Sequence, residues 1–135
     1  MNAPMIALEA QRGRIRLRMT AQFLGRDLSV TLSGGDRPHI GAVALAGPRR
    51  PASALQRPGH REGELAQRIA GALAAEFHVA VAVSCGVHLD EILPGEIRDV
   101  LEMAEELTRE LGERLEGVGE KSLKNDACKA GEGTR

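Results

Sequence analysis

Three of the four histidines stand in short segments that also contain glycine or proline. His39 lies in G-G-D-R-P-H-I-G, His60 in P-G-H-R and His88 in C-G-V-H-L-D. Imidazoles from three separate loops can form an open metal site, which leaves positions for water or a ligand. They would converge if the strands before His39 and His88 end at the same edge of one sheet. Their spacing matches no compact metal motif, so surface or hydrogen-bonding roles are the alternative.

In two of these segments, glycine stands at the end of a predicted strand. Gly34 and Gly35 open the first, and Gly86 lies in the third. Glycine has no Cβ, so its backbone can adopt positive φ and other groups can approach it closely. Pro38 restricts the conformation of Arg37, whose planar guanidinium can bind two oxygens of a phosphate or carboxylate. The pattern is typical of a binding loop held by a rigid strand.

Other catalytic signatures are missing from the sequence. It contains no G-x-S-x-G, Walker, G-x-G-x-x-G or C-x-x-C motif. Cys85 could act as a nucleophile, but a cysteine at a strand end is more typical of a small buried hydrophobe. The fourth histidine, His78, lies at a predicted helix-to-strand junction and is expected to be structural.

Local periodicity predicts the elements that carry these loops. Apolar and polar residues alternate over residues 14–23 and 28–33, as in half-buried strands. Valines alternate with small residues over 79–84, and the apolar stretches at 6–11 and 41–47 are also predicted to be strands. Apolar residues at helical spacing predict helices over 64–77 and 94–115. The prolines of residues 48–63 predict a long loop. The order favours an α+β fold, with an antiparallel or mixed sheet of about five strands and two helices packed on one face. The strand at 41–47 is expected beside the strand at 28–33.

Arginines alternate with apolar residues in the second predicted strand. Arg14, Arg16 and Arg18 are therefore expected on one face of the sheet. That face is either solvated, a subunit interface, or a platform for an anionic ligand. All 11 basic residues of positions 1–90 are arginine, which suits anion binding but is also explained by codon preference.

Composition limits the class of protein. The 135 residues, 42% apolar and 27% charged, suit a single globular domain at 1–117, followed by a polar tail at 118–135 that is expected to be disordered. With two Phe and neither Trp nor Tyr, stacking on nucleic-acid bases is not expected. Neither a signal-peptide pattern nor an apolar run of the ~20 residues that a membrane span needs is present. The two distant cysteines make a disulfide framework unexpected, so a reducing cytoplasm is predicted.

The motifs together resemble the LpdD-like prenylated-flavin chaperones, small D subunits of gallate- and vanillate-type UbiD decarboxylase operons. The resemblance is carried by S-G-G-D-R-P-H-I-G, P-G-H and S-C-G-V-H-L-D-E-I-L, and it spans about residues 14–115. It implies an α+β protein that is not an enzyme. Such a protein would bind reduced prenylated FMN (prFMN) and protect or deliver it to a UbiD-type (de)carboxylase, with a flavin prenyltransferase as a further partner.

The resemblance also implies roles for individual residues. A divalent metal is expected on His39, His60 and His88. Cofactor contacts are expected from a set of loop residues: Gly34, Gly35, Arg37, His39, Gly86 and His88. With so few aromatic residues, a flavin ring would have to lie against Val, Leu, Ile or Met, and its contacts are unassigned. A homodimer through the arginine-bearing face or an edge strand is expected. The alternatives are a small metal-dependent enzyme with a three-histidine site and a purely structural decarboxylase subunit.

Overall fold

The computed structural model describes residues 5–130, with side chains described for residues 5–117. Six strands and two helices follow in the order β1 (Met5–Arg12), β2 (Ile15–Leu24), β3 (Asp27–Gly35), β4 (Ala42–Gly47), β5 (Arg50–Gln56), α1 (Gly63–Phe77), β6 (Val81–His88) and α2 (Pro94–Ala130). The strands form one mixed sheet in the order β1-β2-β3-β6-β4-β5. The predicted α+β class is confirmed, with six strands rather than about five.

The extra strand, β5, lies in the segment that was predicted to be a long loop. It pairs antiparallel with β4, from Ala42 opposite Gln56 to Gly47 opposite Arg50. β5 is an edge strand with one neighbour, so Pro51 can be accommodated although it has no N–H to donate. The loop prediction was wrong because it read proline as excluding a strand at every position, including an edge.

The position of β4 also differs from the prediction. β6 pairs parallel with β3 and antiparallel with β4, and so separates the two. The inner side of β6 carries Val81, Val83 and Cys85, all fully buried. A strand this apolar is suited to the centre of a sheet, and a parallel neighbour requires a long crossover such as the one through α1.

Both helices pack on one face of the sheet, as predicted. α1 contacts β4, β5 and β6, whereas α2 contacts β1 and β2. The core between the layers consists of aliphatic side chains, among them Leu17, Met19, Leu32, Leu73 and Leu107. Burying each such side chain stabilises the fold by about 1.5–3 kcal/mol, so aromatic residues are not needed to build this core.

The opposite face carries fewer arginines than the sequence predicted. Arg16 and Arg18 lie on it, exposed, beside β1 residues. Arg14 instead lies in the turn before β2, where its guanidinium binds the carboxylate of Glu96 on α2 at 2.7 and 2.9 Å. The stripe is therefore reduced to two members on this face.

The second helix extends to Ala130. The predicted disordered tail at 118–135 stays a prediction, because those side chains and residues 131–135 lie outside the described part of the chain. Among the helices that the structure describes, neither has the length of apolar sequence that crossing a bilayer requires.

Candidate functional site

The three histidine-bearing loops meet at one end of the strands. "This edge" of the sheet means that end, and not the outer strands β1 and β5. β3 and β6 run parallel and end together, with Gly35 opposite His88. β4 is antiparallel to β6 and begins at this edge, whereas β5 is antiparallel to β4 and ends there. The β3–β4, β5–α1 and β6–α2 loops are therefore neighbours. This topology brings side chains from positions 39, 60 and 88 to one place.

His39 and His60 face each other across this edge, together with a carboxylate that the sequence did not predict. His39 Nε2 lies 3.2 Å from His60 Nδ1 and 3.1 Å from Glu62 Oε1. His60 Nδ1 lies 3.6 Å from the other carboxylate oxygen of Glu62. All three side chains are largely shielded from solvent, with 19%, 27% and 13% of their surface exposed. We call His39, His60 and Glu62 the His/Glu cluster.

The tautomer of His39 defines what the His/Glu cluster can bind. His39 Nδ1 lies 3.0 Å from the carbonyl oxygen of Arg37, which can only accept, so Nδ1 carries the proton. In the neutral imidazole, Nε2 then presents a lone pair to Glu62 Oε1, a carboxylate oxygen that accepts, and to His60 Nδ1, whose role depends on its own tautomer. A proton or a cation must lie among these atoms. Histidines that bind metals usually donate their other N–H to a carbonyl or carboxylate in this way.

The donor set fits a transition-metal ion. Two imidazole nitrogens and a carboxylate oxygen lie within 4.8 Å of one another. Ligand atoms about 2.0–2.2 Å from a tetrahedral zinc are roughly 3.3–3.5 Å apart, close to the separations in the His/Glu cluster. Zinc and non-haem iron both accept two histidines and one carboxylate with open positions.

The sequence did not identify Glu62 as a metal ligand, because an acidic residue at this position indicates the start of a helix. It is the N-cap residue of α1, yet its side chain makes no capping hydrogen bond. The carboxylate turns towards the imidazoles and fills the space beside Gly41, where a Cβ would overlap it. The H-x-E spacing from His60 to Glu62 was the available signal.

His88 lies on the same edge but has a separate partner. Its ring centroid is 6.4 Å from that of His39, and its Nε2 lies 3.0 Å from Asp90 Oδ1. The hydrogen bond with His88 is the main reason that the pKa of the Asp90 carboxyl is lowered. The structure thus brings all three predicted histidines together and places His88 beside Asp90 rather than inside the His/Glu cluster.

Hydrogen bonds and ion pairs join the β3–β4 loop, the β6–α2 loop and the start of α2. The backbone N–H of Asp90 donates to Asp36 at 2.9 Å. Arg14 binds the carbonyl of Asp90 at 2.8 Å and lies 3.7 Å from the Asp36 carboxylate. Arg14 also holds Glu96 at the start of α2. One arginine therefore joins both loops to the helix.

An open cleft of about 200 Å³ lies at the centre of this edge. It is lined by Arg37, His39, Arg57, His60 and His88. The Arg57 guanidinium also donates to the carbonyl of Ile40 at 2.9 Å, which fixes its side chain over the β3–β4 loop. Two guanidiniums and three imidazoles give the cleft the chemistry of an anion site.

The predicted glycines shape this edge through the protein backbone. A Cβ at Gly35 would overlap the carbonyl of His88, and one at Gly86 would overlap the carbonyl of His39. Gly35 also has φ of +77°, which favours glycine. These residues let the histidine-bearing loops lie directly against the strands. Direct contact of Gly34, Gly35 or Gly86 with a cofactor stays a prediction.

Cys85 behaves as the buried hydrophobe that its position indicated. It is fully buried, and burial raises the pKa of its thiol to about 12. The thiolate required of a nucleophile is therefore disfavoured at neutral pH.

Acid should destabilise the protein partly through Glu96. The Arg14 guanidinium, together with the backbone N–H of Leu93, lowers the pKa of Glu96 from 4.5 to about 2. The unfolded chain takes up this proton first, so the stability that Glu96 contributes is present above about pH 5 and is lost as pH falls to about 2. In urea denaturation, we expect the difference in unfolding free energy between wild type and Glu96→Gln to shrink from about pH 6 to about pH 3.

Glu64→Gln is the matched control, since Glu64 lies in the first turn of α1 and is exposed. Its ion pair with Arg68 is a surface contact of little expected value. A constant difference for Glu96→Gln over this pH range would contradict the assignment, as would equal shrinkage for Glu64→Gln.

Known proteins resemble the chain in fold and in sequence. One solved structure, a chain from a chaperone complex for yeast 20S proteasome assembly, superposes with a TM-score of 0.59 at 12% identity, covering 82% of this chain and 96% of that one. At that identity the likeness concerns the fold alone. Protein LpdD of Lactiplantibacillus plantarum is 20% identical over 112 residues, which cover 79% of this chain and 82% of LpdD.

The family described as the prenylated flavin chaperone LpdD-like domain matches residues 11–116. This range contains the six strands apart from most of β1, together with all three loops of the cleft. The resemblance read from the histidine and glycine motifs is thereby confirmed. Because the match spans most of the sequence, the chain belongs to the prenylated flavin chaperone LpdD-like family.

Proposed function

We propose that this protein binds reduced prFMN at the cleft and protects or delivers it to a UbiD-type decarboxylase. The observation that supports this most is the convergence of three imidazoles and two guanidiniums on one open cleft, in a chain of the LpdD-like family. A flavin phosphate is a dianion, and such a cleft offers it charge-assisted hydrogen bonds. Arg37, Arg57 and His88 line the cleft outside the His/Glu cluster and would contact the phosphate.

A divalent metal would occupy the His/Glu cluster beside this anion site. His39, His60 and Glu62 would hold it, and its charge would favour a bound phosphate or another anionic oxygen. His88, which the sequence placed among the ligands, is instead assigned to the anion because it lies outside the His/Glu cluster, with its ring centroid 6.4 Å from that of His39. The three-histidine site and the His/Glu cluster share His39 and His60 as ligands and differ in the third one. His88→Ala should lose the metal in the first arrangement, and Glu62→Gln should lose it in the second.

A chaperone role also agrees with the chemistry of the edge. Among the described residues that line the cleft, none is a cysteine, serine or threonine, the usual nucleophiles of covalent catalysis. An open site lined by guanidiniums and imidazoles can bind a phosphorylated cofactor and release it again. A homodimer in the cytoplasm belongs to the same proposal.

Cofactor capture can be tested by co-expression with a flavin prenyltransferase. The protein is purified without air, and the absorbance spectrum and small-molecule mass of its ligand are recorded. Wild type should retain prFMN, whereas His39→Ala/His88→Ala should retain at least about tenfold less, because the cleft loses two of its three imidazoles, one of them from the His/Glu cluster. His78→Asn is the control, since His78 lies at the far end of α1 with φ of 54°, a conformation that asparagine tolerates.

Three results would count against the proposal. The double variant could carry as much prFMN as wild type, which would place the flavin elsewhere. Wild type could be free of flavin under all loading conditions. A flavin-free, metal-loaded wild type that turns over substrates in a hydrolase panel would favour the metal-dependent enzyme, to which the His/Glu cluster is also suited.

Delivery needs a separate measurement. Protein loaded with prFMN is mixed with a cofactor-free UbiD-type decarboxylase, and recovery of decarboxylation is followed with time. Recovery should be faster than with the same concentration of free prFMN. Equal rates would leave binding intact and remove the delivery role.

A further inference from the structure

The basic cleft is too small to enclose a flavin nucleotide. Its volume of about 200 Å³ is below the range of roughly 300–1,000 Å³ that is typical of small-molecule sites. Its lining is cationic or imidazole throughout. A phosphorylated ligand with a large ring system could place its phosphate there, but the ring would have to lie on a neighbouring surface.

The register of β4 and β5 identifies that surface. The N–H of Arg57 donates to the carbonyl of Gly41 at 2.8 Å, so these two residues continue the ladder next to the cleft. Two positions along it, Val43 pairs with Leu55. Side chains two positions apart share a face and lie roughly 7 Å apart. Val43 and Leu55 are therefore the first side chains beyond the cleft on that face.

These residues belong to a group of exposed aliphatic side chains on the sheet face opposite the helices. We call this group the apolar shelf; its members are Val43, Leu45 and Leu55, which are 41%, 62% and 84% exposed. Val43 and Leu45 lie beside Ser84 and Ala82 of β6, whose short side chains leave the surface low. Contiguous exposed apolar side chains next to a polar site are characteristic of binding surfaces, whereas single ones are ordinary.

We propose that the apolar shelf holds the planar ring of a phosphorylated ligand whose phosphate lies in the basic cleft. The inference rests on the proposed function and assigns the ring contacts of the flavin to aliphatic side chains. Neither phenylalanine is placed to serve: Phe77 ends α1 and Phe23 lies near the end of β2, both away from this edge. Leu55 is the most exposed member of the apolar shelf. Val43 lies between Leu55 of β5 and Ser84 of β6.

The proposal predicts that the two parts of the ligand respond separately to substitution. Val43→Ser/Leu55→Ser should weaken anaerobic binding of reduced prFMN about tenfold, a change of about 1.4 kcal/mol. Binding of inorganic phosphate should stay within about twofold, since the cleft residues are untouched. Both ligands are titrated by calorimetry. Leu24→Ser is the control, because Leu24 is 61% exposed and lies at the opposite edge of the sheet.

The outcomes distinguish this inference from the function on which it rests. If wild type binds neither prFMN nor phosphate, the proposed function fails, and the inference with it. If the double variant binds prFMN as tightly as wild type, the inference alone is overturned. The rival occupant of the apolar shelf is a second copy of the chain, which light scattering tests. Conversion of a dimer to a monomer in the double variant, with prFMN affinity unchanged, would show that a second copy covers the shelf.

Discussion

Replacing His39 with alanine should weaken divalent-metal binding by at least about 100-fold, since even residues that only orient a metal ligand commonly contribute 10–100-fold. His39 Nε2 is the atom closest to both other members of the His/Glu cluster. Glu62→Gln should have a comparable effect, because it removes the anionic oxygen and keeps the shape of the side chain. Metal content is measured by elemental mass spectrometry, and affinity by competition with a chelator.

Two further variants make this result specific. His78→Asn removes an imidazole from the far end of α1 and should leave the metal bound. His88→Ala should reduce metal affinity less than Glu62→Gln, because His88 lies outside the His/Glu cluster. The reverse ranking would show that the three histidines are the ligands and that Glu62 is not. Equal metal content in wild type, His39→Ala and Glu62→Gln would contradict a metal at this place.

Replacing Gly35 or Gly86 with alanine should destabilise the protein more than the same change at Gly25 or Gly95. The new Cβ would overlap the carbonyl of His88 in the first variant and that of His39 in the second. Both obstacles are backbone atoms, so a loop has to move. We expect the free energy of unfolding to fall by about 3 kcal/mol and Tm by roughly 10 °C. Denaturant titration and calorimetry measure the two quantities.

Gly25→Ala separates backbone strain from steric overlap. Gly25 has φ of +63° with nothing within 4 Å of its Cβ position, so alanine there should lose only about 1 kcal/mol. Gly95→Ala, near the start of α2 and also in open space, should be neutral or slightly stabilising. A loss at Gly35 no larger than at Gly25 would mean that the β6–α2 loop moves away freely.

Prolines explain the main error in predicting the fold. Residues 48–63 are polar and contain three prolines, which locally disfavour a strand. β5 forms because β4 offers a partner and because its outer edge needs no donor at Pro51. Likewise, nothing within residues 28–47 indicates that β6 will enter between β3 and β4. Strand order depends on pairing between distant segments, which local periodicity does not report.

The sequence by itself determined the alternating strands, the two amphipathic helices and the placement of His39, His60 and His88 in loops beside glycine and proline. These features follow from side-chain spacing and from backbone preferences within a few residues. It also carried enough of the motif pattern to identify the LpdD-like family.

Only the tertiary structure decided which groups meet. The parallel pairing of β3 with β6 brings His39 and His88 to one edge. The turn into α1 directs the Glu62 carboxylate to the imidazoles instead of to its own helix. These arrangements result from register and from contacts between residues far apart in the chain, where each partner restricts the position of the other. A carboxylate at a helix start and a leucine in a polar edge strand have no distinctive local signal, so their relation to the cleft could be found only in three dimensions.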